Sequence, residues 1–359
     1  MRALGVGLLV ALFACGGRTG LPTGTEPQPS ACPGVSTKPV KLTSIGEFAA
    51  YWRVTSMTVV GDWLYYAVNN QSNEPVAIFR VPTTGGTPER VIEGKGGCDS
   101  TSPFAVGRLE NDGRRLFMLD EIAVGCTGYS RHVVVWDTAT SELETLTNPT
   151  GAAIDPLSWA PRPLPGGGVA WLVNAHGIDP GSLVAWDANG EPRIVAPIPW
   201  SGTGLVVVGS TAYVARLSSG LSTLERVELG SGATSVVGTY PTSTFRLVGA
   251  NDEAIYLTID GKTSLRMPVG TNVTSPLPFN ANDVTYLDHD WVYAQAATSV
   301  PPKTELERYS AKGGTPTTVL ADASRSGIQA VTGDACRIYV ALGPGYAANE
   351  PPVIVSRAR

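Results

Sequence analysis

The chain has 359 residues, a net charge of −5 and 16% charged residues, below the roughly 25% of a typical soluble protein. Its 41 Gly and 28 Pro make it turn-rich and leave little room for long helices, while 43% hydrophobic residues suffice for a sizeable core. The composition excludes a collagen, a coiled coil and a multi-span membrane protein, and the acidic balance disfavours a nucleic-acid surface.

Met1 and Arg2 supply one positive charge ahead of the apolar run Ala3–Ala14. A run this short falls under the roughly 20 apolar residues of a spanning helix and reads as a signal-peptide core. It ends in Leu12-Phe13-Ala14-Cys15. That tetrapeptide resembles the lipobox of bacterial lipoproteins, and the resemblance implies that Cys15 is lipidated and becomes the new N-terminus. Gly16 follows it, where an Asp would hold a lipoprotein of enteric bacteria at the inner membrane, so the resemblance implies the outer membrane. A non-lipidated secretory signal cut nearby is the alternative. Residues 15–38 are rich in Gly, Pro, Thr and Ser and read as a flexible tether. The expected organisation is a signal peptide over 1–14, a lipid-anchored tether over 15–38 and one β domain over 39–359. The lipid anchor is the one membrane attachment expected.

From residue 39 a pattern recurs: a strand, a tight turn, an aromatic-bearing second strand, a variable loop, a third strand, a Gly-rich turn and a fourth strand. The first copy runs from Thr55–Val60 through Gly61-Asp62 to Trp63–Val68, then Val76–Val81, Thr84-Gly85-Gly86 and Glu89–Ile92. Alternation and β-branched content predict strands, and the Gly/Asp pairs predict hairpins. The second strand returns as Leu64-Tyr65-Tyr66, Leu116-Phe117-Met118, Val169-Ala170-Trp171, Ala212-Tyr213-Val214, Ile255-Tyr256-Leu257, Val292-Tyr293-Ala294 and Ile338-Tyr339-Val340. Seven copies of four antiparallel strands predict an all-β, seven-bladed β-propeller. The last copy stops at its third strand, Val353–Arg357, and Pro39–Thr43 compares well with the fourth strand Pro316–Leu320 of copy six. The N-terminal strand is therefore expected to complete the last blade and close the ring. With turns such as Val81–Pro88 and Ala311–Pro316, the chain resembles bacterial exported β-propellers, a resemblance of fold and not of activity.

Alternating strand direction puts the first-to-second and third-to-fourth turns on one face. The second-to-third and blade-to-blade loops lie on the other. The first set is short, as at Gly61-Asp62 and Gly333-Asp334. The second is long and varied, as at Asn69–Glu74, Glu121–Arg131, Asn174–Ser182, Ala296–Thr304 and Gly343–Pro352. Function more often sits on variable loops carried by a rigid scaffold, which nominates the long-loop face. Its candidate ligand-binding residues are Tyr129, Trp159, His176, Trp200 and Tyr346.

Besides Cys15, four cysteines remain, which allows three pairings in an oxidising compartment. Cys98 and Cys126 fall on the long-loop face of blade two, Cys32 and Cys336 on the short-turn face of the closing blade. This favours Cys98–Cys126 and Cys32–Cys336.

No catalytic set and no metal or cofactor site emerges. His132, His176 and His289 are too scattered to converge on a metal, and His132 is expected to open a third strand. Asp288 and Asp290 read as hairpin-turn acids, and Trp136, Trp171 and Trp186 as packed strand aromatics. Two functions remain. The first is a monomeric cell-envelope lipoprotein that binds or scaffolds a protein, peptide or glycan, in outline similar to lipid-anchored propellers of outer-membrane assembly. The second is an exported, lactonase-like hydrolase using a metal in the central channel. Quinone-dependent dehydrogenation is set aside, since the Trp-Asp pairs at Trp136-Asp137 and Trp186-Asp187 recur only twice.

Overall fold

The computed structural model describes residues 32, 34–45, 52–70, 77–93, 108–124, 128–149, 161–173, 181–188, 190–198, 201–218, 220–241, 245–260, 263–277, 284–288, 291–296, 304–310, 315–345 and 350–359. Seven four-stranded antiparallel sheets form a ring. A single strand, β1 (Val40–Ser44), precedes blade one, which consists of β2 (Trp52–Val60), β3 (Trp63–Asn70), β4 (Ala77–Pro82) and β5 (Glu89–Glu93). Blade two has β6 (Glu110–Asn111), β7 (Arg115–Val124), β8 (Gly128–Asp137) and β9 (Leu143–Leu146). Blade three has β10 (Arg162–Leu164), β11 (Gly168–Val173), β12 (Gly181–Trp186) and β13 (Arg193–Ile198). Blade four has β14 (Ser201–Val208), β15 (Thr211–Ser218), β16 (Leu221–Glu228) and β17 (Thr234–Tyr240). Blade five has β18 (Arg246–Ala250), β19 (Ala254–Ile259), β20 (Thr263–Pro268) and β21 (Ser275–Pro276). Blade six has β22 (Val284–Leu287), β23 (Trp291–Gln295), β24 (Thr304–Ser310) and β25 (Thr317–Asp322).

Blade seven joins the two ends of the chain. Its first three strands are β26 (Ile328–Gly333), β27 (Arg337–Leu342) and β28 (Val353–Ala358), and β1 is the fourth. Val40 pairs with Ser356, Lys41 with Val355, Thr43 with Ile354 and Ser44 with Val353. The pairing gives the outer edge of β28 its hydrogen-bond partners, an edge that would otherwise be open to another chain. Ile354 is fully buried beneath it, against Leu42 and Phe79 of the neighbouring elements. A disulfide between Cys32 and Cys336, with Cα atoms 5.7 Å apart, ties the segment before β1 to the start of β27.

The core is divided among the blade interfaces. There is one apolar cluster between each pair of neighbours, including blades seven and one. The second strands dominate it: Tyr66, Phe117, Trp171, Tyr213, Tyr256, Tyr293 and Tyr339 are each at most 2% exposed. Both faces of such a strand meet a neighbouring blade, so aromatic and branched residues run continuously along it rather than alternating with polar ones. Trp136 and Trp186 are buried in the same way, on either side of blade two.

Two local readings are corrected. Residues 121–124 and 128–131 are not loop: β7 and β8 stay paired out to Val124 and Gly128, beyond the short β6 and β9. Gly, Cys and charged residues disguise that extension as a loop, whereas the backbone ladder tolerates them on a two-stranded ribbon. His132 accordingly lies within β8, opposite Asp120, and does not open the strand.

Candidate functional site

First strands of adjacent blades contact one another all the way round, so β2, β6, β10, β14, β18, β22 and β26 wall a central channel. Being inner strands of different sheets, they are joined by side chains instead of ladders. The Val54 N–H donates to Gln329 Oε1 at 2.9 Å, linking blades one and seven. The Leu109 N–H donates to Ser56 Oγ at 2.8 Å, linking blades two and one. Arg162 Nε donates to the Leu205 carbonyl at 2.9 Å, linking blades three and four.

This wall carries an unusual charge balance. Arg53, Arg162 and Arg246 lie on it and Arg108 stands two residues before the start of β6, while Glu110 is the one acidic residue on the described first strands. Glu110 Oε1 accepts from Arg162 at 2.6 Å and pairs with Arg108 Nε at 2.8 Å. One carboxylate oxygen thus serves two guanidiniums. Burial, together with the Arg108 charge, pushes Arg162 down to about 10 against the opposing pull of Glu110. Arg246 is also lowered, first by burial and then by Arg108. Arg108 belongs to blade two and Arg246 to blade five, so their repulsion acts across the channel.

Strand one runs from the long-loop face to the short-turn face. Arg108 precedes β6, and Glu110, Arg162 and Arg246 each open their strands, so all four lie at strand ends that face the long-loop side. Glu110 and Arg162 are the more buried members, their side chains 20% and 13% exposed against 48% for Arg108. The arrangement is suited to holding an anion. Arg108 and Arg162 share one carboxylate, and a third guanidinium, Arg246 of blade five, lies close enough to Arg108 to feel its charge. Among the described residues no three His, Cys, Asp or Glu side chains gather as a metal site.

Of the residues nominated from sequence, Trp159, His176, Trp200 and Tyr346 lie outside the described residues, as do Cys15, Cys98 and Cys126. Tyr129 is placed by its backbone on β8, opposite Ala123. The arginine cluster escaped the sequence reading. Its only signal is an arginine beside or on the first strand of three copies, in Arg108-Leu109-Glu110, Pro161-Arg162-Pro163 and Arg246-Leu247-Val248. Asp288 does lie in the turn between β22 and β23, and what the sequence did not show is that its side chain is a buried ion-pair partner of Arg359.

No family model matches the chain, and no curated protein matches it in sequence. Solved structures share its fold. The β-propeller domain of the Trilobed protease from Pyrococcus furiosus, described as having an open velcro topology, matches with a TM-score of 0.59 and 11% identity, over 86% of this chain and 94% of that one. An oligogalacturonate lyase in complex with manganese matches with a TM-score of 0.55 and 11% identity, over 90% and 98%. YCF48 bound to a D1 peptide matches with a TM-score of 0.54 and 11% identity, over 90% and 96%. Against a prolyl endopeptidase the chain spans 51% of that protein's length. At these identities the likeness is one of fold alone.

Proposed function

We propose that this chain is a cell-envelope lipoprotein, anchored through Cys15 at the outer membrane, whose propeller binds an acidic protein segment, peptide or glycan at the long-loop mouth of its channel. The observation that carries the reading is the sharing of the Glu110 carboxylate by Arg108 and Arg162, with the Arg246 guanidinium of blade five within electrostatic reach of Arg108. Guanidiniums held by a rigid ring are pre-organised, so little conformational entropy is lost when a carboxylate docks. Propellers of this fold hold a peptide in YCF48 and act on an oligogalacturonate in the lyase, so the scaffold accommodates both classes of ligand. The tether after Cys15 supports the anchored location, since a Gly- and Pro-rich spacer lets a disk reach away from the bilayer.

Two measurements test this reading. Cys15→Ala should leave the protein unlabelled by a fatty-acid analogue and release it from the membrane fraction. Capture from envelope extract should recover an acidic partner with the native protein and lose it with the Arg108→Gln/Arg246→Gln variant. Equal recovery by both forms would remove the channel from the reading.

A further inference from the structure

A cross-strand row repeats around the ring. Tyr65, Tyr213, Tyr256 and Tyr293 on second strands stand opposite Arg80, Arg226, Arg266 and Arg308 on third strands. The fourth strand completes each row with Glu89, Ser235, Ser275 or Thr317. In blade one the row closes on itself. Arg80 lies 4.4 Å over the Trp63 ring, and its Nε donates to Glu89 Oε2 at 2.7 Å. Blade six copies the first half, with Arg308 4.0 Å over the Trp291 ring. It departs in the second half, where Thr317 replaces the glutamate.

Blade seven then adds a further cation. Arg357, opposite Ile338 on the face turned toward blade six, borders the same cleft as Arg308. The cleft has a volume of about 70 Å³, and Tyr293, Arg308, Thr317, Thr318, Arg357 and Arg359 supply its polar lining, which among the described residues contains three arginines and no acidic side chain. Arg359 is already tied to Asp288 and to the Asp334 carbonyl. Arg357 Nε is buried with no hydrogen-bond partner. Burial, followed by the Arg308 charge, lowers the Arg357 guanidinium, so the two cations repel across the cleft. Such an arrangement stores repulsion that an anion between the two would relieve. The space is about twice a water's share of liquid volume, enough for one small oxyanion group.

We propose that the cleft between blades six and seven is a binding site for a phosphate or sulfate group, held by Arg308 and Arg357 where blade one holds the Glu89 carboxylate. Thr317 and Thr318 add hydroxyl donors, and Tyr293 closes the inner wall. The site belongs to the outer part of a blade interface and is separate from the channel, so it does not depend on the channel's role.

The test is thermal unfolding of the Cys15→Ala protein in sodium phosphate, in sodium sulfate and in sodium chloride at matched ionic strength. Phosphate or sulfate should raise Tm by about 2 °C over chloride at concentrations above the dissociation constant. Arg357→Gln should abolish the rise. Thr317→Glu restores the blade-one row internally, so it should raise Tm in chloride and abolish the oxyanion response. It also keeps the proposal testable should Arg357→Gln fail to fold. Phenyl phosphate distinguishes the source of the group: a response stronger than that to inorganic phosphate identifies an ester of a larger ligand, an equal one the free anion. Equal Tm in all three salts would overturn the proposal. So would a phosphate response retained by Thr317→Glu, or one lost in Arg108→Gln/Arg246→Gln.

Discussion

Arg359, which follows β28 in blade seven, forms an ion pair with Asp288 in the first turn of blade six, and both side chains are buried, at 10% and 2% exposed. The Asp288 backbone is held in place by its own turn, its N–H donating to the Trp291 carbonyl at 3.0 Å. The pair therefore fastens the end of the closing blade to a neighbour whose position the ring has already set. Removing one partner of a buried pair leaves the other charge uncompensated. Asp288→Ala should lower stability by about 3–5 kcal/mol, read by urea denaturation. Asp288→Ala combined with Arg359→Met should recover part of the loss, because the orphaned charge is gone.

The disulfide acts at the same corner of the blade, where the Arg359 N–H donates to the Cys336 carbonyl at 3.1 Å. Cys32 and Cys336 are separated by 304 residues, so the bond closes nearly all of the propeller into one covalent loop. It restricts the unfolded chain far more than a short loop would. Cys336→Ser should cost about 2–5 kcal/mol, and dithiothreitol should lower the Tm of the native protein to that of the variant. A variant with unchanged Tm would show that the β1–β28 pairing alone holds the ring shut.

Acid should weaken blade two. Burial pushes the His132 imidazole below its usual value. As pH falls through about 6.5, the unfolded chain takes up a proton that the folded chain still refuses. Stability is thus full above that pH, declines below it, and levels off once the folded imidazole is also protonated. Tm measured from pH 7.5 to 5 should fall in the native protein and fall less in His132→Gln.

The propeller was legible in the sequence because its signal is repeated and local. The second strand recurs seven times with buried aromatics, and the unpaired N-terminal strand had one vacant place to fill. The channel charge was not legible for a physical reason. β6 and β10 have two and three residues, too few to show alternation. An arginine beside a proline there gives no hint of which wall it joins. Asp288 misled in a different way, since its turn position suggests local hydrogen bonding while its partner lies 71 residues away. The extended β7–β8 pairing was hidden by polar residues that a core strand would not carry.

The most direct test of the central claim, that the ring of first strands presents its arginines to an acidic ligand, is calorimetric titration of the Cys15→Ala protein with a polyglutamate peptide and with its polyglutamine counterpart. The account predicts binding of the acidic peptide alone. That binding should weaken as salt rises from about 50 to 500 mM and fall at least about tenfold in Arg108→Gln/Arg246→Gln, a loss of about 1.4 kcal/mol. Polyglutamate binding that is unchanged by salt and by the double substitution would contradict it.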